Sequence, residues 1–507
     1  MARTQHGEVV SLSDFKGAQE GIKSINESVG GAMAPASIPE STSFGYLFPE
    51  LQSNPDNLLP ADKPDETAKN LISLGETMRD TGDKPELNST LPSAYTYFGQ
   101  FVDHDIVFEA ANNIDLGDPK FKPLSLIEIG QKIKNLRTPM FDLESVYGRT
   151  SNGTPVPRDC AVLRLGLVAK SGDRPPRKDE NNDLPRKAKA PATPQVDREA
   201  LIGDARNDEN LIISQLHVAF LRAHRALVVG GLSFNEAKKT LVQHYHWLII
   251  HDFLKRIAGK AVIEDILRHG NKIFRPPVCG LFMPLEFSAA AYRFGHSMIR
   301  SKYNYNLNFK NNTAATLSQL FSATKFTADF ASFDHIPEMW IVEWENFLDG
   351  GTNRARRIDT RLVEPLFELP DPPALPPNTI KSLAVRNLLR GYLLRMPVGQ
   401  KVAERIGARV MSEADIEKAA ANEEQVKVLR NGEFLKRTPL WYYILAEAAD
   451  GYELGPVGST IVAEVLIGLV RWSEESILSQ PGWKPTLGSK PGSFTLVDFF
   501  RLAGVWG

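Results

Sequence analysis

The run DENLIISQLHVAFLRAHRALV constrains this chain most, because its apolar residues recur at the period of a helix and fit no strand. Ile213, Leu216, Phe220, Leu221 and Leu227 fall at three- and four-residue spacings, with acids at the start of the run and Arg225 nearer its end, as the helix dipole favours. The spacing predicts one long amphipathic helix. Similar spacing runs through LVQHYHWLIIHDFLKRIAG, EFSAAAYRFGHSMIR and STIVAEVLIGLVRWSEESIL, whereas alternating strand-like runs are few and short. No internal repeat is present. The fold class expected is mainly α: one large helical domain with few short strands.

Residues 1–90 are rich in Gly, Ser, Pro, Asn and Asp, and read as an irregular arm wrapping a domain over 91–507. The stretch from Lys170 to about Gln195 mixes prolines with charges of both signs and reads as an exposed loop; ELPDPPALPPNT separates two helical regions in the same way. Lys plus Arg number 59 against 61 Asp plus Glu, so no general electrostatic attraction to nucleic acid or an anionic membrane is expected. The two cysteines, Cys160 and Cys279, do not make a disulfide framework and read as buried free thiols, with a single bridge between them left open. The N-terminus lacks the apolar core of a Sec signal, and no run approaches the roughly 20 apolar residues of a membrane span. The chain therefore reads as soluble, either cytoplasmic or exported by another route.

Four segments carry chemistry. In YFGQFVDHDIVFE, helical spacing puts Gln100, Asp103 and His104 on one face and turns Asp105 away. A lone histidine on an apolar helix is more often a satisfied core residue, but burying this much polarity requires partners. In GDARNDEN, Arg206 and Glu209 lie three apart at the start of the long helix, where a capped surface ion pair is the bland reading. In AAYRFGHSMIR, Arg293 and His296 are also three apart, and Gly295 beside the histidine permits close approach of a flat ligand; core packing is the alternative. In LRTPMFDLESVYG, Thr138, Asp142 and Glu144 offer oxygen ligands suited to a hard cation such as calcium, or else make a polar turn. The spacing is not that of an EF-hand. His217, His224, His244, His246 and His251 lie on long helices and read as packing residues, as do Trp340 and Trp344.

In this order and at these separations, FGQFVDHDI, RTPMFDLESVYG, GDARNDENLIISQLHVAFLRAHRAL and AAYRFGHSMIR resemble the animal-type haem peroxidase family, in its bacterial branch. The resemblance covers roughly residues 90 to 480. It implies an enzyme that reduces hydrogen peroxide through a ferryl haem and oxidises small donors: halides such as bromide or iodide, thiocyanate, or phenols. A place in the response to oxidative stress follows. His104 would be the distal base, Gln100 its neighbouring amide and Arg206 the catalytic arginine. His296 would ligate the iron of a haem b and Arg293 would pair with a propionate. Asp103 and Glu209 match carboxylates that form ester bonds to haem in many relatives. Asn210 stands where one vertebrate branch has methionine, so no sulfonium link is expected. Calcium would be held by Asp105, Thr138, Asp142 and the carbonyl of Met140, with Glu144 where relatives more often have Ser or Asp. In RNLLRGYLLRMPVGQ, Gln400 would accept the proximal histidine's N–H, with Arg390 near it. A fatty-acid dioxygenase of the same superfamily is the rival, although the position of its radical tyrosine, three before the proximal histidine, is Arg293 here. A non-catalytic haem-binding protein is the third reading.

Overall fold

The computed structural model describes residues 42–80, 82, 84–111, 116, 121–171, 176–177, 179–187, 199–276, 280–322, 335–369, 380–448 and 450–506. Helices dominate. The longer ones are α1 (Pro64–Thr77), α2 (Ala94–Ile106), α3 (Leu211–Val229), α4 (Phe234–Trp247), α5 (Leu383–Leu393), α6 (Leu440–Glu447) and α7 (Pro456–Trp472). The periodic run singled out in the sequence is α3: Asn210 caps it by accepting from the Ile213 N–H, and Gly230 closes it. A reciprocal Ser233 and Glu236 capping box opens α4, which passes through a wider turn at Leu248–Phe253 into Leu254–Ile257. Helix α7 is apolar on nearly every face and runs through the interior. Helix α3 packs between α2 and α4, α1 lies on α5, and α6 bridges α5 and α7.

Strands are short, as expected. The largest sheet joins β1 (Thr42–Gly45), β2 (Glu109–Ala111), β3 (Ile133–Asn135) and β4 (Met283–Pro284) in the order β2-β3-β1-β4. Strand β1 pairs antiparallel to β3 and parallel to β4, so it draws together segments far apart in the chain.

Several expectations change. The part of the supposed arm within 42–90 is not irregular: it contains α1, whose Pro64 sits at the first turn and whose Leu71 and Leu74 are buried. Within the stretch expected as an exposed loop, Asn182, Asp183 and Leu184 are buried, because Arg186 is neutralised by Asp183 and Asp208, each at 2.8 Å. Cys160 is a free thiol but exposed, since it forms a turn of left-handed backbone (φ 54°); Cys279 lies outside the described residues, as does most of ELPDPPALPPNT. The expected helix over EFSAAAYRFGHSMIR is two pieces, Leu285–Ser288 and a 3-10 helix over Ala291–Met298. Trp340 and Trp344 are core residues on separate 3-10 turns.

A single buried carboxylate clips the N-terminal part to the interior. Glu286 accepts hydrogen bonds from the Leu47 N–H (2.9 Å) and the Phe48 N–H (3.2 Å). Burial pushes its carboxyl up to about 7. A carboxyl whose folded-state value is raised adds stability that is present below the unfolded value near 4.5 and lost as pH rises through about 7. At about 1.4 kcal/mol per unit, this is on the order of 3 kcal/mol. Urea unfolding at pH 4.5 and pH 8 should therefore show a loss of stability that is markedly smaller in Glu286→Gln; an equal loss in both proteins would contradict it.

Candidate active site

Helix α2 delivers Gln100, Asp103 and His104, and packs against both the 3-10 turn Ala205–Asp208 and the 3-10 helix Ala291–Met298. Arg206 and Glu209 thus lie just before α3 rather than inside it, in a turn that Asp204 caps by accepting from the Arg206 N–H at 2.9 Å. In the second 3-10 helix three residues make one turn, so Arg293 and His296 stack on the same side.

His104 is fully buried, with Nδ1 2.8 Å from Asn207 Oδ1. Asn207 Nδ2 donates to Nδ1 of His217, 3.0 Å away. This chain puts the His104 proton on Nδ1 and leaves the Nε2 lone pair on the side of Glu209, whose Oε1 is 3.8 Å away and also receives the Gln100 amide. Burial, reinforced by the Arg206 charge, pushes His104 down to about 3, so it is neutral at physiological pH. His296 is likewise buried, and burial and then Arg293 push it down to about 3.

Asp204 is the anchor of this half. It binds Arg137 (Nη2, 2.6 Å) and Arg206 (Nη2, 2.7 Å). Burial would raise its carboxyl, but the Arg206 and Arg137 guanidiniums outweigh that and hold it far below the usual range. Arg206 Nη2 also donates to the carbonyls of His104 (3.1 Å) and Val107 (2.6 Å), and its guanidinium lies over the Phe108 ring. Nη1 is left without a hydrogen bond among the described residues.

One expected position is corrected. Gln400 does not reach His296: its amide donates to Leu435 O and Thr438 Oγ1 and accepts from the Thr438 N–H, tying the start of a short helix to the loop before α6. The side chain at His296 Nδ1 is Asn387 on α5, at 2.8 Å, with Arg293 Nη1 3.5 Å from its Oδ1. Arg390 follows one turn later, buried, with the Glu109 carboxylate against it and no hydrogen bond from its guanidinium among the described residues. Sequence reasoning names neither Asn387, although it stands in the same quoted run, nor Asn207 and Asp204, and reads His217 as a packing residue. The other helix histidines are packing residues: His224 binds Tyr147 and Ala161 O, His244 binds Thr240 O, His246 binds Phe141 O, and His251 lies on the Trp247 ring.

The site has room for a large group. Gln100, Asp103, Glu209, Arg293 and Gly295 keep partly accessible surface although the elements that carry them are buried, and a Cβ added at Gly295 would meet nothing within 4 Å. Burial pushes Asp103 up to about 6 against the pull of Arg206 and then Arg293, which places both arginines within electrostatic reach of one carboxyl. Two neutral imidazoles, two carboxylates and two arginines around that space fit a haem with its propionates.

Behind α2, Asp105 Oδ1 accepts from the Ser145 N–H (3.1 Å), and Oδ2 is buried without a hydrogen bond. Burial, then Asp142 and Glu144, hold Asp105 well above the carboxylate range. Glu144 accepts from the Thr138 N–H, Asp142 from the Glu144 N–H, and the Met140 N–H donates to Thr138 O. Among the described residues no group of three or more His, Cys, Asp or Glu side chains is arranged to hold a metal ion. Nor, among them, is any helix long and apolar enough to cross a membrane.

The description of animal haem peroxidases matches residues 128–391, just over half of the chain. A peroxidase-like protein of Margaritifera margaritifera is 25% identical over 257 residues, 41% of this chain and 32% of that protein. Mouse eosinophil peroxidase is 27% identical over 179 residues, 33% of this chain and 24% of that protein. The chain spans about a third or less of the length of these curated relatives. Among solved structures, peroxidase A of Dictyostelium discoideum superposes with a TM-score of 0.57 at 16% identity, covering 93% of this chain and 95% of that one. A fatty acid alpha-dioxygenase of Oryza sativa gives 0.54 at 14% identity, covering 85% and 76%. Likeness at these identities speaks for the fold, which is that of the helical haem peroxidase scaffold. The chain belongs to the animal haem peroxidase family.

Proposed function

We propose that this chain is a haem peroxidase that reduces hydrogen peroxide and oxidises small donors such as bromide, iodide, thiocyanate or phenols. The reading is carried by one observation: two buried, neutral imidazoles, on elements packed together, are each engaged at Nδ1 by an asparagine, His104 by Asn207 and His296 by Asn387. A haem held between them would supply an iron for redox chemistry with peroxide.

The protein's part is to move one proton and stabilise charge. His104 Nε2 takes the proton of the entering peroxide and hands it to the departing oxygen, which leaves as water. Its depressed basicity keeps it free to accept at neutral pH. Arg206 Nη1 stabilises the negative charge that grows as the O–O bond breaks, while Asp204 fixes the guanidinium plane. His296 would be the iron ligand, its ring held at Nδ1 by the Asn387 side chain, which fixes its orientation. Arg293 and Arg390 hold the propionates, the second having no hydrogen bond of its own. Asp103 and Glu209 would become ester links, and Asp105, Thr138, Asp142, Glu144 and the Met140 carbonyl would hold calcium, a reading supported by the Asp105 Oδ2, which is buried without a hydrogen bond.

Tyr292 favours the dioxygenase as a second reading: its hydroxyl is buried without a hydrogen bond among the described residues, close enough to Asp103 to feel its charge. Oxygen uptake with a fatty acid and no added peroxide would support it.

In stopped-flow mixing with peroxide, His104→Ala should slow the reaction by about 10²–10⁴-fold while the haem stays bound; an unchanged rate removes the peroxidase mechanism. Acidic acetone applied after peroxide treatment should leave haem on the protein, and complete extraction, with no difference in Asp103→Asn plus Glu209→Gln, would reject the ester links. Chelation by EGTA should lower the Tm of the natural chain and leave Asp105→Asn unaffected; equal responses would remove calcium from this position.

A further inference from the structure

Away from His104 and His296, the segment 55–62, the end of α5 and Arg437 line a cavity of about 360 Å³. Its size is at the low end for small-molecule sites, which start near roughly 300 Å³. Leu58, Leu59 and Met396 are buried in its wall, with Pro60 and Tyr392 beside them. The wall is kept in shape by Tyr392, whose hydroxyl donates to Pro60 O at 2.7 Å, and by Arg437, which donates to the carbonyls of Pro55 and Leu58.

Arg395 is the residue the fold does not explain. It takes left-handed backbone (φ 52°) just past the end of α5, where its N–H binds Tyr392 O and the Met396 N–H binds Gly391 O. That is a helix-terminating position at which glycine costs least, yet the chain places an arginine there. Its side chain makes no hydrogen bond or ion pair among the described residues, and its Nε is shut away from solvent. Arg437 spends its Nη2 on the backbone, which leaves Arg395 as the guanidinium with its fork uncommitted. The other charges at the cavity, Asp56 and Asp62, are exposed and pair with neither arginine, so water screens them more than it screens Arg395.

We propose that this cavity is a binding site for a small carboxylate with an apolar or aromatic body, the carboxylate meeting the Arg395 guanidinium and the body lying on Leu58, Leu59 and Met396. A guanidinium fork matches two carboxylate oxygens in one plane, and the apolar wall rewards burial of the rest.

The experiment is calorimetric titration of the full chain, with its haem, by 4-phenylbutyrate and by its uncharged amide. Phenylbutyrate should bind saturably, at least tenfold more tightly than the amide, and should not be displaced by cyanide on the haem. Arg395→Gly should weaken it at least tenfold while Tm holds or rises, because glycine relieves the left-handed backbone; this separates loss of the ligand from loss of the fold. Absence of saturable heat, equal binding of the amide, undiminished binding in Arg395→Gly, or displacement by cyanide would each overturn the site. None of these readings depends on peroxidase turnover.

Discussion

One carboxylate holds the working parts together. Asp204 is wholly buried and shared between two guanidiniums, Arg206 from its own turn and Arg137 from the segment that leads to Asp142 and Glu144. Arg206 in turn binds the carbonyls of His104 and Val107 at the end of α2. Three segments distant in sequence thus meet on a charge that burial alone would disfavour. Removing one member of such a cluster leaves an uncompensated ion and costs about 3–5 kcal/mol, so the geometry around His104 depends on it. A second cluster, Arg186 with Asp183 and Asp208, fixes the far end of the same turn.

With those clusters in place, the imidazoles are set without charge. Both are buried deeply enough to stay neutral, and each meets an uncharged amide at Nδ1 rather than a carboxylate. A carboxylate there would draw the proton toward itself and favour the imidazolium; an asparagine fixes the orientation without adding charge. Asn207 reaches further, to His217, which the sequence places only as a core histidine of α3.

The helices were legible because their signals are local. Apolar periodicity declares α3 and α7, and Gln100, Asp103 and His104 share a face by spacing alone. What escaped depends on contacts between distant segments. Asn387 and Gln400 both lie in or near α5, and nothing in their spacing says which one meets a histidine 91 residues from the first. Arg186 sits in a proline-rich, mixed-charge stretch that reads as solvated; only the positions of Asp183 and Asp208 make it a buried tie. Asp204 carries no signal of its own in GDARNDEN, because its grip on Arg137 spans 67 residues. The turns at Ala205–Asp208 and Ala291–Met298 were read as α-helix because three-residue spacing suits a 3-10 turn equally well.

The central claim is that His104 and His296 face one porphyrin from opposite sides. An anomalous difference map at the iron edge, from crystals of the haem-loaded chain, tests it most directly. The account predicts one iron peak, bonded to His296 Nε2 and facing His104 across the open axial position. A peak coordinated elsewhere, or both imidazoles on the same side of the ring, would contradict it.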